Sequence, residues 1–119
     1  MKDFRNLAVW EKAHLLTLSV YTVTKNLPKE ELFALTSQLR RASSSIPANI
    51  AEGCGRSTDA DFSRFLQIAF GSACEVEYHL ILARDLNYLT DDVHASVNHE
   101  LLSVKKMLAS LISKIKAER

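Results

Sequence analysis

Apolar residues recur every three or four positions along almost the whole of this 119-residue chain, and one stretch keeps that spacing while carrying residues that helices usually avoid. Between Gln38 and Arg56, Leu39, Ala42, Ile46 and Ile50 hold to one helical face. The same stretch contains Arg40, Arg41, three consecutive serines, Pro47, Asn49, Glu52, Gly53 and Gly55. Elsewhere the punctuation is sparse. Three glycines and two prolines in the whole sequence leave room for few turns, and therefore for few, long elements. No segment alternates polar and apolar residues as a strand does. The reading is an all-α chain, residues 1–119 forming a single domain.

Periodicity and punctuation divide it into four helices, at about 7–26, 29–54, 58–86 and 91–116. In the first, Ala13, Leu16, Val20, Val23 and Leu27 form one face, which Trp10, Leu15, Leu18 and Tyr21 widen. Pro28 ends that helix and opens the next, with Glu30 and Glu31 facing the positive end of its dipole. The second helix carries Leu32, Leu35 and Leu39 into the stripe that crosses Pro47. An interior proline costs about 3 kcal/mol in a lost hydrogen bond and a steric clash. Ser43 and Ser44 offer hydroxyls near the disrupted turn, so a kinked but continuous helix is expected; two helices meeting at Ile46 is the alternative. Gly53 and Gly55 supply the left-handed residue that closes it.

Ser57 or Thr58 caps the third helix, whose core face is Phe62, Phe65, Ala69, Ala73, Val76, Leu80 and Ala83. Small residues beside that seam, Gly71 and Ser72, suggest a close crossing. Thr90 caps the fourth, a heptad of Val93, Val97, Leu101, Val104, Leu108, Leu111 and Ile115. Short connections make this an antiparallel up-down-up-down four-helix bundle with a proline-kinked second helix, about 35 to 40 Å long. A turn near Ser57 brings Arg40 and Arg41 level with Ala73 and Cys74, within one turn of Glu75 and Glu77, which predicts an ion pair, Arg41 with Glu75, whose role is to fix register. The same register separates Cys54 from Cys74 by about 20 Å, beyond the reach of a disulfide.

Reduced, buried cysteines, the absence of a signal-peptide pattern and the lack of any long apolar run point to the cytoplasm, with no membrane contact. The formal net charge of +1 gives no global pull on nucleic acid. Charge is unevenly placed, however. The last helix ends with Lys105, Lys106, Lys114, Lys116 and Arg119 against Glu118. These lysines complement the helix dipole. Gathered on the rim of an oligomer, they would form a surface for RNA or a ribonucleoprotein.

Little suggests chemistry. His14, His79, His94 and His99 lack metal-ligand spacing, the serines lie in no nucleophile turn, and Gly53-Cys54-Gly55-Arg56 follows a helix without a Walker lysine. Glu11-x-x-His14 is a lone Glu-x-x-His, where a bundle metalloenzyme carries two. The expectation is therefore no catalytic residue, no metal, no cofactor and no small-molecule substrate. Apolar residues outside the main stripes, namely Phe33, Ala48, Leu66, Ile68, Phe70, Leu102 and Ile112, suggest self-association.

Three motifs carry a family resemblance. They are Phe4-Arg5-Asn6-Leu7-x-Val9-Trp10, Gln38-Leu39-Arg40-Arg41-Ala42-x-x-Ser45-Ile46-Pro47-x-Asn49-Ile50-Ala51-Glu52-Gly53, and Phe65-Leu66-x-Ile68-Ala69-x-Gly71-Ser72. The chain resembles the bacterial four-helix bundle proteins first noticed as reading frames in intervening sequences of 23S ribosomal RNA genes. Those proteins are similar in fold to the accessory variability protein of retroelements, a pentameric nucleic-acid-binding barrel. The resemblance implies a four-helix bundle, a homopentamer and no cofactor. It places Arg40, Arg41, Ser45, Pro47, Asn49, Glu52, Gly53 and Gly71 at family motif positions, and Glu75 joins them as a structural position through its expected pairing with Arg41. Two functions remain open: a homo-oligomeric interaction scaffold, and an RNA accessory protein acting through a basic rim.

Overall fold

The computed structural model describes residues 2–118; Met1 of the polar lead-in and Arg119 of the basic end lie outside it. Four α-helices account for most of the described chain, and no strand occurs among those residues. They are α1 (Ala8–Thr24), α2 (Leu35–Cys54), α3 (Asp59–Asp85) and α4 (Asp91–Glu118). Two 3-10 turns, Phe4–Asn6 and Lys29–Glu31, precede α1 and α2. Each helix packs on its neighbours in sequence and α1 also meets α4, so the four enclose one core. The long dimension is 46 Å, set by the 28-residue α4 rather than by an average helix.

The core is a continuous aliphatic column with small residues where helices approach. Leu16, Leu39, Ile46, Ile50, Leu66, Leu80, Leu101 and Leu108 are fully enclosed, together with Ala13, Ala69 and Ala73. The first helix departs from its expected face. Leu15, Leu18 and Tyr21 lie outside, whereas Thr17 and Thr24 are inside. A threonine is accepted there because its hydroxyl donates to the carbonyl four residues back, Ala13 for Thr17 and Val20 for Thr24. In α3, Leu66 takes the core position and Phe65 is only partly covered; in α4, His94 is buried and Val93 exposed.

Caps that depend on local sequence form as expected. Thr58 accepts from the Asp61 amide and Thr90 from the Val93 amide. The second helix starts later than position 29. Glu31 Oε1 accepts from the Leu35 amide at 3.3 Å while its Oε2 takes the Tyr88 hydroxyl at 2.9 Å. Held in this way, Glu31 ends a 3-10 turn and caps the first amide of a helix that begins four residues on. Ala34, at φ −123° and ψ −104°, breaks the path between them. Leu32 is thereby turned out of the stripe, and Phe33, outside it as expected, is 93% exposed.

The glycines also act differently from expectation. Neither Gly53 nor Gly55 has positive φ, and α2 runs through Gly53 to Cys54. The left-handed residue is Asn87, at φ 65°, ending α3. There the Tyr88 amide reaches the Ala83 carbonyl and the Asn87 amide reaches Arg84, which is a Schellman closure. Gly53 instead permits contact, because a Cβ there would stand 2.9 Å from Phe65 Cβ and 3.0 Å from Phe62 Cδ1. Gly71 faces open space and plays no part in a close crossing. No helix of the described residues is long and apolar enough to cross a membrane.

Candidate functional site

Pro47 lies inside α2, which continues through it. Without a proline N–H, the carbonyl of Ser43 has no helical donor. Thr17 of α1 provides one, its Oγ1 standing 3.0 Å from that carbonyl. The repair was expected from Ser43 and Ser44, but their hydroxyls turn back to the Arg40 and Arg41 carbonyls. A serine bonding within its own turn cannot reach the vacated acceptor, whereas a residue on the facing helix can.

Most of the motif residues join α2 to its neighbours. Arg40 donates from Nε to Thr24 Oγ1 at 2.9 Å and lies over the Tyr21 ring, tying α2 to α1. Arg41 reaches Glu75 of α3 at 3.5 Å and also bonds Gln38, in an exposed position. Ser45 and Ser72 share a hydrogen bond across the α2–α3 seam, and Asn49 Nδ2 donates to the Ser45 carbonyl at 2.8 Å. Glu52 pairs with Arg56 at 3.2 Å, and Gly53 admits the two phenylalanines. Arg40, Arg41, Ser45 and Gly53 thus make their contacts across helix seams, whereas Asn49 and Glu52 bond within their own stretch of chain.

The lysines of α4 are not equivalent. Lys105 Nζ lies 2.7 Å from Glu77 Oε1 and above the Phe70 ring, so this lysine is committed to the α3–α4 seam. Lys106, Lys114 and Lys116 are exposed and have no carboxylate within ion-pair distance among the described residues. The two thiols are free. Cys54 is buried, and its pKa is raised by burial, whereas Cys74, expected inside, is on the surface. The histidines do not converge. His94 is in the core with Nε2 unpaired, His79 has an unpaired Nδ1, and His14 stacks on Trp10. No group of three potential metal ligands forms among the described residues.

The outer surface carries the features that sequence reasoning assigned least well. Phe33 and Leu32 project from the turn before α2, and Leu15, Leu18 and Val93 edge a shallow groove between α1 and α4. Farther along the same pair of helices, Leu7, Val9, Met107 and Leu111 floor a second groove beside Lys106 and Lys114. Of the outlying apolar residues expected at the surface, Ile68 and Leu102 are exposed, but Leu66 is wholly buried.

The model of the family described as 23S rRNA-intervening sequence protein matches residues 5–110. Among solved structures, the chain is similar to a protein of unknown function from the S23 ribosomal protein family of Bacteroides thetaiotaomicron VPI-5482. The two share 32% identity over 88% of this chain and 95% of that one, with a TM-score of 0.82. No curated protein matches significantly. With its sequence matched over nearly all its length and its helices superposing on such a relative, the chain belongs to the 23S rRNA-intervening sequence protein family.

Proposed function

We propose that this protein is a non-enzymatic, self-associating scaffold built on an antiparallel up-down-up-down bundle with α2 kinked at Pro47. Cross-helix contacts support the antiparallel reading, because residue numbers fall along one helix as they rise along its neighbour. Ser45 meets Ser72 while Arg41 meets Glu75, and Thr17 meets Ser43 while Arg40 meets Thr24. The turning of the Ser43 carbonyl toward Thr17 supports the kink.

Phe33 carries the self-association reading. Holding a phenylalanine 93% exposed on an ordered turn leaves a large apolar area in water, at about 25 cal/mol per Å2. Its neighbour Leu32 is also exposed. A projecting knob and the apolar groove edged by Leu15, Leu18 and Val93 occupy different parts of the surface, and such a contact between copies is head-to-tail, the kind of contact from which rings are built. The resemblance favours five copies. The reading includes a cytoplasmic home, for which the two free thiols speak. It includes no catalysis because the motif side chains are spent on structure: Ser43 and Ser44 bond within their own turn, Arg40 and Ser45 bond across helix seams, and Glu52 pairs with Arg56.

Light scattering tests it. The wild type should have the mass of several chains at micromolar concentration, and Phe33→Ser should dissociate with unchanged helix content. A monomeric wild type would refute the reading. The unpaired Lys106, Lys114 and Lys116 favour a second reading, an accessory protein whose ring gathers these ends into a rim for RNA. Mobility shift with structured RNA, compared with the three lysines changed to glutamate, tests that one; no binding at low salt rules it out.

A further inference from the structure

We infer that the groove between the first turn of α1 and the last turns of α4 receives an acidic amphipathic helix of a protein partner. The groove has a volume of about 450 Å3, with Leu7, Val9, Met107 and Leu111 as its floor. Lys106 and Lys114 stand at its margin, and no carboxylate lines it among the described residues. The two lysines are eight residues apart on α4, about 12 Å along the axis. A small anion can meet only one of them. A helix lying in the groove can meet both, through acidic side chains two turns apart, while its apolar face covers the floor.

The floor also discriminates between classes of macromolecule. An RNA backbone placed between these lysines would hold its phosphates over four apolar side chains, losing hydration without replacing it. An aliphatic helix face has no such cost. Met107, only partly covered, is unbranched and adapts to the shape of what it meets. Charge and shape thus select the same occupant.

This site gives the proposed scaffold something to hold, and it rests on that reading only to that extent. It lies near the α1 start and α4 end, whereas Phe33 precedes α2, so the two can fail separately. The test is fluorescence anisotropy with a labelled synthetic helix of about 18 residues, bearing a leucine stripe flanked by glutamates seven apart. Companion peptides replace the glutamates with lysine or the leucines with serine. The acidic amphipathic peptide should bind the full chain, and both companions should bind at least tenfold more weakly. Lys106→Glu with Lys114→Glu should lose the acidic peptide and gain the lysine one, with light-scattering mass unchanged. Lys106→Gln with Lys114→Gln gives the same loss without charge reversal, should the first variant fold poorly. Equal binding of the leucine-free peptide, indifference to both double variants, or binding of a structured RNA hairpin in preference to the peptide would overturn the proposal.

Discussion

Thr17 of α1 shares its one hydroxyl proton between the Ala13 carbonyl of its own helix, at 2.9 Å, and the carbonyl of Ser43, the acceptor that Pro47 leaves vacant on α2, at 3.0 Å in the buried core. A proline in the middle of a helix is thereby tolerated through a residue 26 positions away from the carbonyl it frees. The same hydroxyl keeps a threonine in an otherwise apolar face of α1.

Thr17→Val preserves shape and removes the donor, leaving a buried carbonyl unsatisfied at a cost of about 1–3 kcal/mol. Pro47→Ala restores the amide that would serve Ser43, so the threonine change should cost less in that background. A urea double-mutant cycle measures the difference. Additive losses would show that the two residues do not share the carbonyl.

The two helical glycines should respond in opposite directions. Gly53→Ala places a methyl group against Phe65 and Phe62 at 2.9 and 3.0 Å, and should destabilise by about 1–3 kcal/mol as the helices part. Gly71→Ala meets nothing within 4 Å and should stabilise by about 0.5–1 kcal/mol, because alanine loses less backbone freedom. Thermal and urea unfolding of the pair check both signs.

The thiols should separate kinetically. Cys74 is exposed, whereas Cys54 is 2% exposed with its thiol pKa raised by burial. One thiol per folded chain should react quickly with a disulfide reagent at pH 8, and the second only as fast as the chain opens. Cys74→Ser should abolish the fast phase; its survival would mean that Cys54 is accessible.

What the sequence reveals follows how far apart the deciding groups lie. Thr58 and Thr90 are recognisable as caps because the amides they serve are three residues away. The four helices are legible because their apolar spacing is repeated over many turns. Leu32 is less readable: its exposure depends on Glu31 being held by Tyr88, 57 residues later. Gly53 looks like a helix stop until Phe62 and Phe65 of α3 are placed against it. Hydrophobicity assigned Leu15 and Leu18 to the face that Thr17 and Thr24 occupy, because spacing alone cannot show that a hydroxyl is satisfied by its own helix. The lysines look alike in sequence, and only Glu77 on the facing helix distinguishes Lys105.

That last contact gives stability a defined response to alkali. Lys105 and Glu77 are 22% and 30% exposed, and the Glu77 hydrogen bond holds the lysine above its ordinary pKa of 10.5, with Cys74 adding and partial burial opposing. A raised folded-state pKa means that the ammonium is stabilised by folding. Its contribution is fully present below the unfolded value, about 10.4, and is lost as pH rises through the folded one. Glu77→Gln removes the first cause of the shift. In urea unfolding at pH 8 to pH 11.5, wild type should therefore exceed Glu77→Gln by a margin that is constant up to about pH 10 and shrinks above it. A margin that stays level through the alkaline limb would mean that the mutation acts on packing rather than on the Lys105 proton.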